Sequence, residues 1–574
     1  MANRQTRIEH VVVLMLENRS FDHMLGRLPG VNGLLGRDGR VNTAFANPAD
    51  AATHGSKSYP AGTPAKYAVP SQDISRAGFG GPGHSFPDAT QQLFGTRTAT
   101  AAQVRQPAPL NGFVESYLGE LRAAGRSQPS DPEIEEPMSS FAPVQLPVIS
   151  RLAQEFCVCD QWYSEVPGPT EPNRLFVHAG TSMGLTHNPW QFPVTARTIY
   201  EELDAAGRDW AFYFFDINDA VVFPKLKPRI DRMLRFEAFA QQCAAGTLPA
   251  YSFVCPRYAD KAGQFANSQH APYDIRYGEH FIADVYEALR AHPIWEKTLL
   301  IVTYDEHGGY YDHVTPPVTG VSNPDGLVSP TQYDREQARA NPNASGYLLK
   351  PGYVFDFTRL GLRVPALLIS PWIARGLVDS TRYQHTSILA TLRDLFGVGT
   401  LTKRDAEATS FSSVLSLKAP RTNTPATLKR PTLPAPDSGH LAKPPTDRQK
   451  DLWPILSHLD GHRDSGKVTK PPKTRAAAHT YIEERQAAHE RFHRERRRKA
   501  AFEVVGRGHR YSWRLRDDTG AVVAHSATTF RSPQAAADHI SRVRDLAPYA
   551  RQVARGTRKA PARQAVKTAR RKAG

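Results

Sequence analysis

Two short acidic stretches hold the residues best suited to chemistry. One is Glu17-Asn18-Arg19-Ser20, the other Asp305-Glu306-His307-Gly308-Gly309. Carboxylate and amide oxygens are hard donors, suited to one divalent cation such as Ca²⁺, Mg²⁺ or Mn²⁺. Solvated strand ends carry the same residue types and need no ion. A third stretch, Pro167-Gly168-Pro169-Thr170-Glu171-Pro172-Asn173-Arg174, runs into the apolar segment LFVHAG. Thr170 fits a helix N-cap, with Pro172 in the first turn. The same place suits a nucleophile, because a helix N-terminus offers free N–H groups and a positive dipole end to phosphate oxygens. A coordinated cation would lower the pKa of that hydroxyl and activate it. Arg174 either meets phosphate charge or braces the loop.

Histidines recur in similar surroundings: His84 in GPGHSF, His270 in NSQHAPYD, His307 in DEHGG, His313 in YYDHVTPP and His385 in YQHTS. A lone loop histidine is more often structural than catalytic. Several beside Gly, Asp and Pro make a set that can protonate a leaving alkoxide and hold phosphate oxygens.

Three apolar runs supply strands to position these groups: residues 8–16 (IEHVVVLML), 298–304 (TLLIVTY) and 364–369 (VPALLI). Runs this short and rich in β-branched residues suit central parallel strands buried on both faces. Helical periodicity lies between them, as in residues 278–291. The alternation predicts an α/β fold, a mostly parallel sheet flanked by helices. Sites in such sheets lie at the carboxyl ends of strands, where the first run meets Glu17 and the second meets Asp305.

The chain has 574 residues, which predicts more than one folded unit. Its net charge of +16 is uneven. Residues 464–574 hold 27 Lys+Arg and 10 Asp+Glu, or +17, leaving 45 basic and 46 acidic residues, or −1, before them. The basic pI therefore says nothing about the substrate of the N-terminal part. The composition predicts a catalytic region over 1–425, a Pro/Lys-rich linker and basic helix over 426–500 with some helix near 452–459, a small β-then-α domain over 501–548 and a basic disordered tail over 549–574. The basic C-terminus could meet an anionic membrane surface or remain a solvated segment; nucleic acid is not expected as a partner. Cys157, Cys159, Cys243 and Cys255 read as small buried thiols, with a Cys243–Cys255 disulfide only if the protein is exported. The first residues, MANRQTRIEH, are polar and the apolar run after them is too short for a signal or a span. That predicts a cytoplasmic protein, with export or membrane association left open.

ENRSFDHMLG at 17–26, TEPNR at 170–174, DEHGGYYDHVTPP at 305–317 and GLRVPALLISPW at 361–372 occur in this order, joined by GHSF at 83–86 and NGFVESY at 111–117. Together they resemble the bacterial phosphoesterase family that contains non-specific phospholipases C and an acid phosphatase, within the alkaline-phosphatase-like superfamily. Plant non-specific phospholipases C share these signatures. The resemblance covers roughly residues 5–420. It implies an alkaline-phosphatase-like fold and Glu17, Asn18, Thr170, Asp305 and Glu306 as metal ligands. It makes Thr170 the nucleophile, and it places His84, His270 and His307 in the phosphate pocket beside Arg174. Gly81 stands where many relatives carry an acidic residue, so one outer contact does not carry over. The implied substrate is a phospholipid or a soluble phosphomonoester; a non-catalytic binding protein is the reading from another class. Residues 502–548 resemble a small bacterial domain of unknown function.

Overall fold

The computed structural model describes residues 7–49, 57–68, 81–98, 100–126, 128–188, 194–340, 346–435, 439–446, 449, 450, 456, 472–499, 501–516 and 521–546. The basic tail and most of the helix expected near 452–459 lie outside them. The chain divides into two compact units, Met1–Glu495 and Arg496–Gly574.

Eight strands build the central sheet of the first unit: β1 (His10–Leu16), β2 (Cys157–Cys159), β3 (Trp210–Phe214), β4 (Met233–Arg235), β5 (Tyr251–Val254), β6 (Thr298–Tyr304), β7 (Ala366–Ile369) and β8 (Leu377–Asp379). They lie in the order β8-β2-β7-β6-β1-β5-β3-β4. β1 pairs in parallel with β6 and with β5. Val11 to Leu16 are all buried, as an apolar run at the middle of a covered sheet requires; each such side chain contributes about 1.5–3 kcal/mol.

The third predicted run behaves differently. Its strand, β7, is antiparallel to both β6 and β2. A short apolar run reads the same in either direction, so its sequence carries no polarity. The reversal matters, because it brings the residues preceding β7, Arg363 among them, to the edge where β1 and β6 end.

The helices that bear on the site are α1 (Phe21–Met24), α2 (Phe86–Phe94), α3 (Pro147–Glu155), α4 (Thr170–Ala179), α5 (Ile275–Arg290) and α6 (Thr386–Phe396). α5 takes in residues 278–290 of the predicted 278–291 and starts earlier, after an Asp274 cap whose side chain accepts from the Arg276 N–H. Asp in that position satisfies a donor that the helix cannot. All ten residues of α4 are buried, so this helix runs through the interior. The four cysteines are free and buried.

The region whose composition reads as linker also contributes to the first unit. Leu428 and Ile482 join its apolar core, and Arg475 pairs with Asp260 at 3.2 Å. In the second unit, β9 (Ala501–Arg507), β10 (Arg510–Arg516) and β11 (Val522–His525) form an antiparallel sheet covered by α7 (Pro533–Leu546). Ser532 caps α7, its hydroxyl accepting from Ala535 N–H at 3.1 Å. Residues 517–520 (DDTG), whose composition predicts a turn, lie outside the described residues. Among those residues no helix is long and apolar enough to cross a membrane.

Candidate active site

Leu16 stands beside Tyr304 in the β1–β6 register. The two acidic stretches therefore leave the sheet side by side. The Asp305 Oδ1 atom accepts from the backbone N–H of Asn18 at 2.9 Å and of Glu306 at 2.8 Å. Arg19 N–H donates to the Glu306 carbonyl at 2.9 Å. Asn18 turns through φ 59°, a left-handed conformation that asparagine tolerates. The glycine pair of DEHGG has a matching cause. A Cβ on Gly308 would sit 2.1 Å from the Asn18 carbonyl oxygen, and one on Gly309 would sit 2.4 Å from that of Gly83. Three motifs, ENRSF, GHSF and DEHGG, close on one another because those two positions lack side chains. At Gly81, a Cβ would lie 2.6 Å from the Ala271 Cβ, so this site leaves no room for a longer side chain there.

Thr170 opens α4, but not as its cap. The N-cap is Pro169, and Thr170 is the first helical residue. Asn173 stabilises the preceding loop instead. Its Oδ1 accepts from Glu165 and Val166 N–H, and its Nδ2 donates to the carbonyls of Val166, Gly168 and Pro169. This buried amide shapes the turn, and no capping bond consumes the Thr170 hydroxyl. One helical turn further, Arg174 shares a face with Thr170.

Arg174 resolves as a brace. It is 1% exposed. Nε donates to Asp305 at 3.0 Å, Nη1 to Asp219 at 2.8 Å, and Nη2 to the Met15 and Leu16 carbonyls, with Glu17 at 3.7 Å. Burial works against its charge, yet Asp219, Tyr258, Asp305 and Glu17 outweigh that and hold its pKa well above the ordinary value. A guanidinium held in this way ties α4 to the ends of β1 and β6.

The histidines separate into groups. His84 faces Asn18 Nδ2 at 3.0 Å and the Pro82 carbonyl at 3.2 Å, and its ring is 5.5 Å from that of His270. His307 Nε2 meets Gln92 Oε1 at 2.7 Å, and its Nδ1 is 3.4 Å from Glu306. These three cluster with the acidic stretches. His385 lies behind them: Nδ1 accepts from Trp162 Nε1–H and Nε2 donates to the Asp305 carbonyl at 2.7 Å. Burial pushes its pKa down to about 4, so it is a neutral strut. His313 belongs to a second acidic cluster.

Glu17, Asp305 and Glu306 are each fully buried. A buried carboxylate needs a countercharge or hydrogen bonds: Arg174 pairs with Asp305 and Glu17, and backbone N–H groups reach Asp305 and Glu306. Among the described residues, Asn18 Oδ1 and Glu306 Oε1 are buried acceptors without a hydrogen-bond donor. Oxygen donors in that condition fit a hard divalent cation. The second cluster, Asp22, Asp312 and His313, also has the atom spacing of a metal site, but a guanidinium fills it. Arg363 grips both Asp312 oxygens, at 2.9 and 3.1 Å, and Asp22 at 3.1 Å.

Four residues escaped the sequence reading: Asn173, Asp219, Gln92 and Arg363. Asn173 and Arg363 lie inside quoted motifs, whereas Gln92 and Asp219 carry no local signal.

A mostly parallel α/β sheet with this acidic edge defines a class of phosphoric-ester hydrolases. Residues 8–399 match the Phosphoesterase family, and the chain belongs to it. It is 37% identical over 446 residues to non-specific phospholipase C3 of Arabidopsis thaliana, covering 74% of this chain and 76% of that one. Phospholipase C B of Mycobacterium tuberculosis is 29% identical over 480 residues, covering 75% of this chain and 82% of that protein. Among solved structures, a protein in the alkaline phosphatase superfamily from Vibrio parahaemolyticus is 16% identical at a TM-score of 0.25, covering 45% of this chain and 63% of that one. A likeness that weak carries no argument about the site.

Proposed function

We propose that this hydrolase is a phospholipase C that cleaves a phospholipid through a covalent phosphothreonine on Thr170. The observation that carries the reading is a hydroxyl free of capping duty, on the same helix face as a buried arginine that also binds Asp305. The similarity to plant and mycobacterial phospholipases C supports the lipid as substrate.

Glu17, Asn18, Thr170, Asp305 and Glu306 would hold the divalent cation. When bound, it would lower the pKa of the hydroxyl and offset phosphate charge. The chain supplies the rest. Asn173 fixes the loop that aims Thr170. Arg174, held by Asp219, keeps α4 against the ends of β1 and β6. Thr170 Oγ1, its proton released to solvent, attacks phosphorus in line, and the phosphorus–oxygen bond to diacylglycerol breaks. His270 hands its proton to the departing alkoxide; its Nδ1 is held by the Ala271 carbonyl. His84 and His307 hold phosphate oxygens. Water then releases the phosphorylated head group and restores the hydroxyl.

The test is turnover of phosphatidylcholine and of p-nitrophenyl phosphate by purified protein, with and without a chelator. The expected result is chelator-sensitive release of diacylglycerol that is lost in Thr170→Ala. Turnover of p-nitrophenyl phosphate alone would make the protein a phosphatase. No turnover of either, with metal supplied, would make it a binding protein.

A further inference from the structure

Among the described residues, the first unit exposes five large apolar side chains: Val144, Leu327, Val328, Val354 and Leu433. Three of them fall on one ribbon. Ser329 and Phe355 form an antiparallel bridge, each N–H donating to the other's carbonyl at 2.9 Å. Both are buried, and the alternation of an extended chain turns their neighbours outward. Val328 is 42% exposed, Val354 41% and Leu327 42%. Single apolar residues on a surface need no explanation, but three gathered in one place mark an interaction surface.

The ribbon packs against Phe86, at the start of the helix that follows His84. The Phe355 ring packs on Phe86 with centroids 5.0 Å apart, and Tyr353 meets the same ring at 5.5 Å. Phe86 follows His84 by two residues. Its ring also lies 3.5 Å from the place of a Cβ on Gly168, in the loop that presents Thr170. After α4 in the chain, the Thr186 hydroxyl pairs with the Ser329 hydroxyl at 2.9 Å and the Tyr353 hydroxyl at 3.1 Å. The inward face of the ribbon is therefore joined, through Phe86, to the segments that carry His84 and Thr170. Lys350 is exposed in the turn that leads into Tyr353, four residues before Val354, and offers a cation to a lipid phosphate.

We propose that the ribbon of Leu327, Val328 and Val354 is the surface by which this enzyme docks on a phospholipid bilayer. The proposal rests on the reading of the substrate as a phospholipid. A lipid held by its tails in a bilayer keeps its phosphodiester at head-group depth. A threonine that is 2% exposed reaches it only if the rim of the site enters that layer. Aliphatic side chains beside the mouth gain by leaving water as they do so.

The experiment uses the full chain and vesicles of phosphatidylcholine, in about 0.5 M NaCl to screen attraction by the basic C-terminus. One variant combines Leu327→Ser, Val328→Ser and Val354→Ser; a second carries Val354→Trp alone. In the triple variant, vesicle binding and turnover of vesicle lipid should fall at least about tenfold. Its turnover of a short-chain phosphatidylcholine kept below its micelle concentration should stay within about twofold, since the docking energy is not used there. Val354→Trp should bind vesicles more tightly, as tryptophan favours the membrane interface. Unchanged vesicle turnover in the triple variant overturns the docking surface and leaves the lipid reading intact. An equal loss on both substrates also overturns it, because the ribbon would then act on the site itself. A wild-type protein that binds no vesicles and cleaves only p-nitrophenyl phosphate removes both readings.

Discussion

Two buried acidic clusters stand on the same edge of one sheet and draw on the same two sequence stretches. Asp22, Asp312 and His313 are closed by Arg363, whose fork engages both aspartates. Burial opposes its charge, but Asp312 and Asp22 outweigh that and raise its pKa. The ring of His313 is held between Asp22 at 2.6 Å and Asn32 at 3.1 Å. Around Glu17, Asn18, Asp305 and Glu306, Arg174 pairs with Asp305 and Glu17, and acceptor atoms on Asn18 and Glu306 face no hydrogen-bond donor among the described residues. Both clusters have acidic residues in number. They differ in whether the lone pairs are already used, and that difference separates a cluster closed by the chain from one whose open acceptors would fit an ion.

Thr170→Ala gives the sharpest break. Turnover of any phosphoester should fall by about 10³-fold or more, as expected when an activated nucleophile is removed. The melting temperature should hardly move, because no capping bond is lost. Next comes Arg363→Ala, which should behave in the opposite way. It leaves Asp22 and Asp312 buried without their partner and should cost about 3–5 kcal/mol of stability, read from the urea midpoint. Added Ca²⁺ or Mn²⁺ should restore part of that loss in this variant, since the guanidinium occupies the place of a cation. If Arg363→Ala costs nothing, the two clusters are not satisfied differently and the comparison fails.

Divalent ions should stabilise the wild-type protein by about 2.7 kcal/mol at a hundredfold excess over their dissociation constant. Glu306→Gln should abolish this response, and Asp312→Asn should keep it. Denaturation with and without EDTA reads both; the reverse pattern would exchange the roles of the clusters.

Much of this site is legible in the sequence, and the gaps have physical causes. The runs before Glu17 and Asp305 announce themselves because a doubly covered strand tolerates little but apolar residues. β7 shows the limit: its composition predicts a strand, yet its direction depends on neighbours far along the chain. Arg174 is ambiguous by nature, because a guanidinium suits phosphate and carboxylate equally. Only the placement of Asp219, 45 residues away, assigns it to bracing. Thr170 has the residue type of a cap, and the loop bonds that displace it from that duty come from Asn173. The segment after 425 is rich in Pro and Lys, and composition does not report that Leu428 and Ile482 find places in the core.

A third buried carboxylate sharpens the comparison with the smallest effect. Glu279 on α5 is satisfied by neither guanidinium nor ion: it accepts from Val148 N–H at 2.7 Å and Ile149 N–H at 3.2 Å, at the start of α3. Burial dominates over these bonds and raises its pKa from 4.5 to about 8. The folded state therefore holds a proton that the unfolded chain releases above its ordinary pKa. The stability contributed is complete below pH 4.5 and is lost as pH rises through about 8. Glu136, raised to about 7, acts with the same sign. His385, lowered to about 4 from 6.5, acts with the opposite sign, and its contribution is complete above 6.5. Between pH 6.5 and 8 the glutamates are then left to set the slope. Glu279→Gln keeps an acceptor for α3 and removes the titration. Its melting temperature should match the wild type near pH 5 and exceed it by a few degrees near pH 8. EDTA should not alter that difference, because the helix start, not a cation, satisfies this carboxylate. An equal offset at both pH values would mean that Glu279 is ionised in the folded state throughout.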